Sequence, residues 1–374
     1  MNKELNIGIV GLGTVGSGVI KSIEKNRDYF KNNYDVEFNI LGISANSKNK
    51  ERSFNVSNYK WFDNPLNIIN ENNIDTVIEL IGGEDGLAYD LAINSLKNNK
   101  NFITANKALI AEHGNELFEI AQHNNVVLAY ESSVAGGIPI IKALREGLAA
   151  NNINWLAGII NGTGNFIMTE MASKQRQFED VLAEAQKLGY AEADPTFDVE
   201  GIDAAHKLTI MGSIAFGIPL QFDKTYIEGI NHITAEDISY ADELGYCIKH
   251  LGIARRSDKG IEMRVHPTLL TKSRLLASVG GVGNAILVHG NKVGATLYNG
   301  AGAGAEATAS AVVADLMDLS RHLNSGAQVP VYPALGYWEM DEEIPVVDIE
   351  DIEQIREIII ENNPDLVVIG PEGP

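Results

Sequence analysis

One cysteine, Cys247, stands in 374 residues. A single thiol excludes an internal disulfide and suits a reducing compartment. Positive charge is scarce: 29 Lys and Arg against 50 Asp and Glu, a net of -21. That sign argues against a nucleic-acid partner, which selects a basic face. No apolar run reaches the roughly 18 residues that cross a bilayer, and the opening MNKELN lacks the pattern of a signal peptide. The histidines form no H-E-x-x-H and no Cys/His cluster, which argues against a catalytic zinc. No G-x-S-x-G elbow presents a nucleophilic serine. These absences leave a cytoplasmic enzyme or binding protein whose chemistry comes from a bound group or from carboxylate and lysine side chains. The chain is too long for one hydrophobic core, so two domains are expected. Glycine is plentiful, at 36, which points to tight turns and close backbone approaches.

The first such turn is at the start. An apolar strand, Leu5 to Val10, runs into Gly11-Leu12-Gly13-Thr14-Val15-Gly16 and then a helical pattern. G-x-G-x-x-G between a strand and a helix is the fingerprint of dinucleotide binding. Gly11 permits the turn, Gly13 lets backbone approach a pyrophosphate, and Gly16 lets helix pack on strand. Thr14 and Val15 complete the phosphate-facing turn, and the helix N-terminus adds N–H groups and positive dipole. A glycine turn without a ligand is the alternative. A second strand, about Val36 to Ile43, ends in Ser44-Ala45-Asn46 with no acid to take a ribose 2′-OH. Lys48, Lys50 and Arg52 follow. That favours the 2′-phosphate of NADP over NAD, unless the cations only decorate an exposed loop.

Further buried-type strands are expected at Thr76 to Gly83, Asn101 to Ala105 and Val126 to Tyr130, with a helix at Tyr89 to Asn98. The strand ending at Ala105 delivers Asn106 and Lys107 to the carboxyl edge, where open α/β sheets collect ligands. Lys107 is a candidate functional cation or a solvated loop lysine. After Tyr130 comes Glu131-Ser132-Ser133-Val134-Ala135-Gly136-Gly137-Ile138-Pro139. A carboxylate and carbonyls on a glycine turn are the oxygen ligands that hard cations take, or simply a helix-capping turn. This segment reads as the hinge between domains.

The second domain is expected from residue 137. It holds a helix at Ile140 to Ala149, a strand at Trp155 to Ile160, the polar turn Asn161-Gly162-Thr163-Gly164-Asn165, and a helix from Phe166. Helices at 178–188 and 201–216 follow, then strands near 225–230, 261–266 and 284–289, suggesting a sheet with helices on one face. The densest chemistry is in AQKLGYAEADPTFDVEGIDAAHK, from Ala185 to Lys207. A helix ends at Gly189, Asp194-Pro195 forces a turn, and a new helix starts near Gly201. On it Asp203 and Lys207 stand four apart, on one face. Such a pair is commonly a weak surface ion pair. Here an apolar run, LTIMGSIAFGIPL, follows at once, so the pair enters a core, where charge is costly unless paired or functional. Glu192 on the preceding loop can face the same cavity. A lysine beside two carboxylates in a partly dry pocket is a proton donor or a substrate clamp.

The spacing A-x3-G-Y-x3-D-P-x2-D-x2-G-x-D-x3-K, filled by Ala185, Gly189, Tyr190, Asp194, Pro195, Asp198, Gly201, Asp203 and Lys207, resembles the signature of homoserine dehydrogenases. The ANKALIA segment and Gly158-Ile159-Ile160-Asn161-Gly162-Thr163 resemble the same family, and the likeness runs from the N-terminus to about Glu353. It implies an α/β chain: a Rossmann-type dinucleotide-binding domain, 1–136, completed by about 300–340, and an α+β substrate and dimerisation domain, 137–299. It implies NADP- or NAD-dependent interconversion of L-aspartate 4-semialdehyde and L-homoserine. Lys207, Lys107 and Asp203 would be catalytic, and Glu192, Asp203, Lys107, Gly189 and Tyr190 would bind substrate. Gly11, Gly13, Thr14, Val15, Gly16, Asn46, Lys107 and Gly304 would bind cofactor. A sodium ion would sit on the carbonyls of Glu131, Val134, Gly136 and Ile138, and the partner would be a second copy, as a homodimer.

The chain departs from the family in places. Asn46 stands where NADP-preferring members often carry Arg, and Ala307 where proline is common, in the glycine turn Gly300 to Gly304 that opens the returning helix. The tail, 341–374, holds one expected helix, 353–362, and one strand, 365–370. That is too little for a regulatory domain, so threonine regulation should be weak or absent, and the tail disordered or docked on a partner. Two other readings stay open: another Rossmann-type semialdehyde dehydrogenase, and a catalytically silent dinucleotide sensor.

Overall fold

The computed structural model describes residues 3–325 and 366–368. The chain divides into two compact units: Met1–Glu146 with the segment returning at Ala303, and Gly147–Gly302.

In the first unit the strands are β1 (Lys3–Val10), β2 (Val36–Ser44), β3 (Lys60–Trp61), β4 (Thr76–Glu79), β5 (Asn101–Thr104) and β6 (Leu128–Ala129). They form one parallel sheet in the order β3-β2-β1-β4-β5-β6, the doubly wound order of dinucleotide-binding folds. The helices are α1 (Thr14–Lys25), α2 (Arg27–Tyr34), α3 (Leu87–Lys97) and α4 (Lys107–His123). Leu5, Ile7 and Ile9 of β1 point to one face and bury against Val19, Ile20 and Ile23 of α1 and Val312 and Leu316 of the returning helix. Gly8 and Val10, on the other face, are buried as well, as a parallel strand covered on both faces requires. Gly18 allows α1 and the returning helix to touch: a Cβ there would lie 2.7 Å from the Ala305 carbonyl oxygen.

Two expectations fail near the end of this unit. The strand expected over Val126 to Tyr130 pairs only at Leu128–Ala129. The helix expected at Ile140 to Ala149 is α5 (Ile140–Lys142), which then widens into a π-turn over Ala143–Gly147. The apolar spacing there is helical, but spacing does not distinguish an α ladder from a π ladder.

The second unit holds β7 (Ile153–Ile159), α6 (Gly162–Lys174), α7 (Phe178–Leu188), α8 (Thr196–Val199), α9 (Ile202–Phe216), β8 (Tyr226–Ile227), α10 (Ala235–Glu243), β9 (Tyr246–Ser257), β10 (Gly260–Thr271), β11 (Gly283–Gly290) and β12 (Gly294–Ala301). The returning helix is α11 (Ala305–Ser325), and Leu366–Val368 is β13. The second sheet runs β12-β11-β7-β9-β10-β13, with β8 beside β10. Helix α6 begins at Gly162, not Phe166, because the Asn161 side chain caps it through the Gly164 N–H at 2.6 Å. The expected strand near 261–266 is half of a long β9–β10 hairpin. Nothing in a period-2 reading signals β9: it is buried on both faces and carries Lys249, His250 and Arg255.

Helices α6, α7 and α10 share a core with Ile248 of β9, and α9 lies along β9 and β10, where a Cβ on Gly212 would sit 2.6 Å from the Met263 sulfur. On the opposite face Ala157, Leu251, Ile253 and Leu270 gather with Leu276 and line a groove of about 470 Å³ bordered by Arg255, Arg264 and Arg274. Of the tail, Leu366–Val368 pairs antiparallel with Thr268–Leu270 of β10 in the same chain. The helix expected at 353–362 lies outside the described residues.

His250 of β9 is fully buried. Its Nε2 lies 2.9 Å from the Glu228 carbonyl oxygen, and its ring lies 3.1 Å from where a Cβ on Gly201 would stand. Burial pulls its pKa down to about 4. The folded value lies below the unfolded one, so this contribution to stability is present above about pH 6.5 and is lost as pH falls through about 4. His250→Gln keeps a donor and removes the titration. The slope of unfolding midpoint against pH between 4 and 6.5 should flatten, by roughly 1–3 kcal/mol over that span. An unchanged slope in urea titrations would mean that His250 is not the group responsible.

Candidate functional site

In the first unit the candidate residues gather at the carboxyl ends of its strands. Gly11 has φ +101 and donates its N–H to the Ser44 carbonyl at 2.9 Å. A Cβ on Gly11 would meet the Leu80 carbonyl oxygen at 2.4 Å, and one on Gly16 would meet the Gly11 carbonyl oxygen at 1.9 Å. A Cβ on Gly13, at the N-cap of α1, would meet no atom within 4 Å. So Gly11 and Gly16 are glycine because the fold has no room, while Gly13 faces open space that a ligand can fill. Thr14 and Val15 form the first turn of α1, and Thr14 is exposed. The N–H groups of a helix N-terminus with open space before them fit the needs of a pyrophosphate. Gly304, φ +117, has open space around it ahead of α11.

At the end of β2, Ser44 is buried and donates to the Phe62 carbonyl at 2.7 Å, whereas Asn46 is exposed. Of the three cations that follow, Arg52 is already engaged. It donates to the Ser47 and Lys50 carbonyls at 2.6 and 2.9 Å and stacks 5.8 Å from the Trp61 ring. Lys107 is the first residue of α4 and half-buried, its helix capped by Asn106, whose side chain accepts from the Leu109 N–H at 3.2 Å.

The turn 131–138 is buried almost throughout, and Ala135 and Gly136 both have φ 54. The Glu131 side chain does not face that turn. It accepts the N–H groups of Ile141 and Lys142 at 3.0 and 2.9 Å, capping α5. Burial pushes its pKa up to about 7. Its own N–H donates to Asp315 of α11 at 3.1 Å, and Lys142 pairs with Asp318. The carbonyls of Glu131 and Ile138 also accept from Val134 and Ile140, at 3.4 and 2.8 Å. Each carbonyl oxygen has a second lone pair.

In the second unit the candidate residues gather where α9 enters its core. Gly201, φ +85, starts the helix. Asp203 and Lys207 are 6% and 9% exposed, so the pair is not a surface ion pair. Lys207 Nζ donates to Asp203 Oδ2 at 2.6 Å and to the Ile160 carbonyl at 2.8 Å. Asn161 Nδ2 donates to the same Asp203 oxygen at 2.8 Å and to Asp198 Oδ1 at 2.7 Å. Burial, and then the charge of Asp203, holds the Asp198 carboxyl above the usual carboxylate range. The C-terminal end of β7 thus meets the N-termini of α6 and α9 in one polar knot.

Gly189, φ +77, caps α7 as expected, and the Tyr190 carbonyl accepts from Thr163 Oγ1 at 2.7 Å. Tyr190 is 45% exposed, its ring edge-on to Phe166. Glu192 is exposed on the loop after α7. The described hydrogen bond at Glu192 is through its backbone carbonyl, from Gln186 Nε2 at 3.0 Å. Asn161 and Asp198 stand in the polar turn and the D-P-x2-D run that the sequence singles out, but only folding shows that Asn161 bridges Asp198 and Asp203.

Residues 11–131 match the family model for the homoserine dehydrogenase NAD-binding domain, and 139–317 the model for homoserine dehydrogenase. The homoserine dehydrogenase of Pseudomonas aeruginosa is 57% identical over 325 residues, 86% of this chain and 74% of that protein. This chain belongs to the homoserine dehydrogenase family. The Neisseria gonorrhoeae enzyme is 52% identical over 85% of this chain and 73% of its own length. Among solved structures, the homoserine dehydrogenase of Thiobacillus denitrificans superposes with a TM-score of 0.88 at 49% identity, covering 94% of this chain and 81% of that one. A hyperthermophilic archaeal homoserine dehydrogenase in complex with NADPH superposes at 0.71 and 26% identity, covering 85% and 98%.

The chain is therefore a nicotinamide-dinucleotide-dependent oxidoreductase acting on a CH–OH group, in the α/β fold of its family. Its substrate pair is L-homoserine and L-aspartate 4-semialdehyde. Among the described residues no helix is long and apolar enough to cross a membrane.

Proposed function

We propose that the polar knot at the entrance of α9 is the substrate end of this homoserine dehydrogenase, with Lys207 as its proton donor. The observation that carries this is the buried Lys207 ammonium, held by Asp203 and the Ile160 carbonyl. The dinucleotide supplies the hydride when bound. Lys207 delivers a proton to the aldehyde oxygen as negative charge develops on it, and Asp203, 2.6 Å from Nζ, keeps the ammonium aimed. Asp203 and Glu192 take the substrate ammonium group, beside the backbone of Gly189 and Tyr190. Lys107 is a second cation for the reacting oxygen. Gly11, Gly13, Thr14, Val15 and Gly16 hold the pyrophosphate, with Gly304 and Asn46 bordering the dinucleotide.

The absence of an acid at the end of β2 favours NADP, with Lys50 and Lys48, the latter 6.0 Å from the same Trp61 ring, ahead of the carbonyl-bonded Arg52 as partners of the 2′-phosphate. The test is steady-state turnover of L-aspartate 4-semialdehyde with each cofactor. NADPH should exceed NADH in kcat/KM by about tenfold, the worth of one well-made charge contact near 1.4 kcal/mol. Equal or better use of NADH sinks the preference.

The buried left-handed turn at Ala135-Gly136 suits a hard monovalent cation, with carbonyls of Glu131, Val134, Gly136 and Ile138 as ligands. Atomic emission on desalted protein should find sodium, and protein free of it would end this assignment. We also take the apolar face of β7, β9, β10 and β11 to be covered by a second copy, as a cytoplasmic homodimer. Sedimentation equilibrium showing a monomer at working concentrations would overturn that.

A further inference from the structure

Glu79 is a carboxylate that no role above uses, and it is fully buried at the end of β4. Its surroundings are organised around it. Oε1 accepts the N–H groups of Ile81 and Gly82 at 2.6 and 3.0 Å. Oε2 accepts the Thr104 hydroxyl of β5 at 2.5 Å. Thr104 Oγ1 in turn accepts the Asn106 N–H at 2.9 Å, and Asn106 Nδ2 donates to the Gly83 carbonyl at 2.6 Å. Asn106 also caps α4, of which Lys107 is the first residue. The network therefore closes a ring from the turn after β4 to the helix that presents Lys107.

The same turn bears on the dinucleotide fingerprint. Leu80 donates its N–H to the Val10 carbonyl at 2.8 Å, and its own carbonyl oxygen lies 2.4 Å from where a Cβ on Gly11 would be. Gly82 and Gly83 both have positive φ, 79° and 88°, conformations that few other residues hold unaided. Burying a carboxylate is costly unless its lone pairs are filled. Here they are filled by two turn N–H groups and one hydroxyl, charge-assisted bonds stronger than neutral ones. An uncharged apolar residue packs this place more cheaply, which is the sign that the carboxylate holds a geometry.

We propose that Glu79 is a positioning residue that, through Thr104 and Asn106, fixes the turn Leu80–Gly83 and the α4 start carrying Lys107 against the dinucleotide turn. Glu79 itself touches neither substrate nor cofactor. The proposal rests on the roles given above to Gly11–Gly16 and Lys107.

The test uses the whole chain and five variants. Glu79→Gln keeps one acceptor oxygen and removes the charge, so its NH2, which cannot accept, faces either the turn N–H groups or the Thr104 hydroxyl and breaks the present donor pattern. Thr104→Val removes the hydroxyl at constant shape. Each should lower kcat by about 10- to 100-fold, the cost of a displacement near 1 Å in a reacting geometry, while KM for the semialdehyde changes little. The double variant should lose no more than the worse single one, because both break the same ring. Thr104→Ser, which keeps the hydroxyl, should recover most of the loss. A purely structural role predicts a different pattern: lower thermal midpoints with kcat retained below the midpoint, and losses that multiply in the double variant. Either result overturns the proposal. Lys107→Ala separates the two levels. If Lys107→Ala keeps full kcat, the role of Lys107 fails. Glu79 is then judged by NADPH titration, where Glu79→Gln must still weaken binding, or the proposal fails as well.

Discussion

Lys207→Ala is expected to lower kcat by about a thousandfold or more, within the range of a lost proton donor together with its charge. NADPH binding, measured by fluorescence titration, should be unchanged. Two of the three ammonium protons are committed, to Asp203 at 2.6 Å and to the Ile160 carbonyl at 2.8 Å. An ammonium has three donors, so one proton is left for a substrate oxygen. The truncation also removes one partner of a buried pair, a loss worth about 3–5 kcal/mol where nothing compensates. Asn161 compensates in part, because it donates to the same Asp203 oxygen at 2.8 Å. Asp203→Asn guards against misreading an unfolded variant: it keeps the size of the side chain and an acceptor oxygen for Lys207, which also keeps its carbonyl partner. It should stay folded and lose kcat by a smaller factor, about 10- to 100-fold. A Lys207→Ala protein that turns over within tenfold of wild type would remove Lys207 from the chemistry.

Gly13→Ala is expected to raise the Kd for NADPH by about 10- to 100-fold, equivalent to 1.4–2.8 kcal/mol, with thermal stability nearly unchanged. The reason is specific to the position. At Gly13 φ is -75 and ψ -154, open to any residue, and an added Cβ meets no protein atom within 4 Å. The methyl enters only the space where the phosphates would lie. Gly16→Ala has the opposite profile. Its Cβ would stand 1.9 Å from the Gly11 carbonyl oxygen, which is backbone and cannot swing aside. It should cost about 1–3 kcal/mol of stability as an overpacked contact, and should weaken NADPH as α1 shifts. Calorimetry and titration on the two variants distinguish these outcomes. Equal binding losses at equal stability cost would mean that Gly13, like Gly16, is a packing glycine.

The residues that were legible in advance share one property: their roles follow from neighbours close in sequence. The glycines of the first turn, Gly189 as a helix cap and Gly201 before α9 each answer a local backbone demand. The i, i+4 pairing of Asp203 and Lys207 is likewise set by the helical repeat, and the apolar run after it implied burial. Elements whose signal is local but ambiguous were read less well. Ile140–Gly147 looked like a plain helix and contains a π-turn. Tyr246–Ser257 and Gly294–Ala301 did not read as strands. The first is covered on both faces, and the second is an edge strand of GATLYNGA that is nowhere fully buried.

By itself the sequence determined that a dinucleotide turn opens the chain, that a carboxylate–lysine pair enters a buried helix, and that acid exceeds base by 21 unit charges, which argues against a nucleic-acid partner. Those are statements about backbone conformation, helical periodicity and summed charge, none of which requires knowing what lies opposite. Only the tertiary structure decided that Asn161 bridges Asp198 and Asp203 across 37 and 42 residues, or that Glu79 reaches Thr104 across 25. Pairings at such separations are selected when buried polar groups must find partners as the chain packs, and no local pattern records which partner each will find.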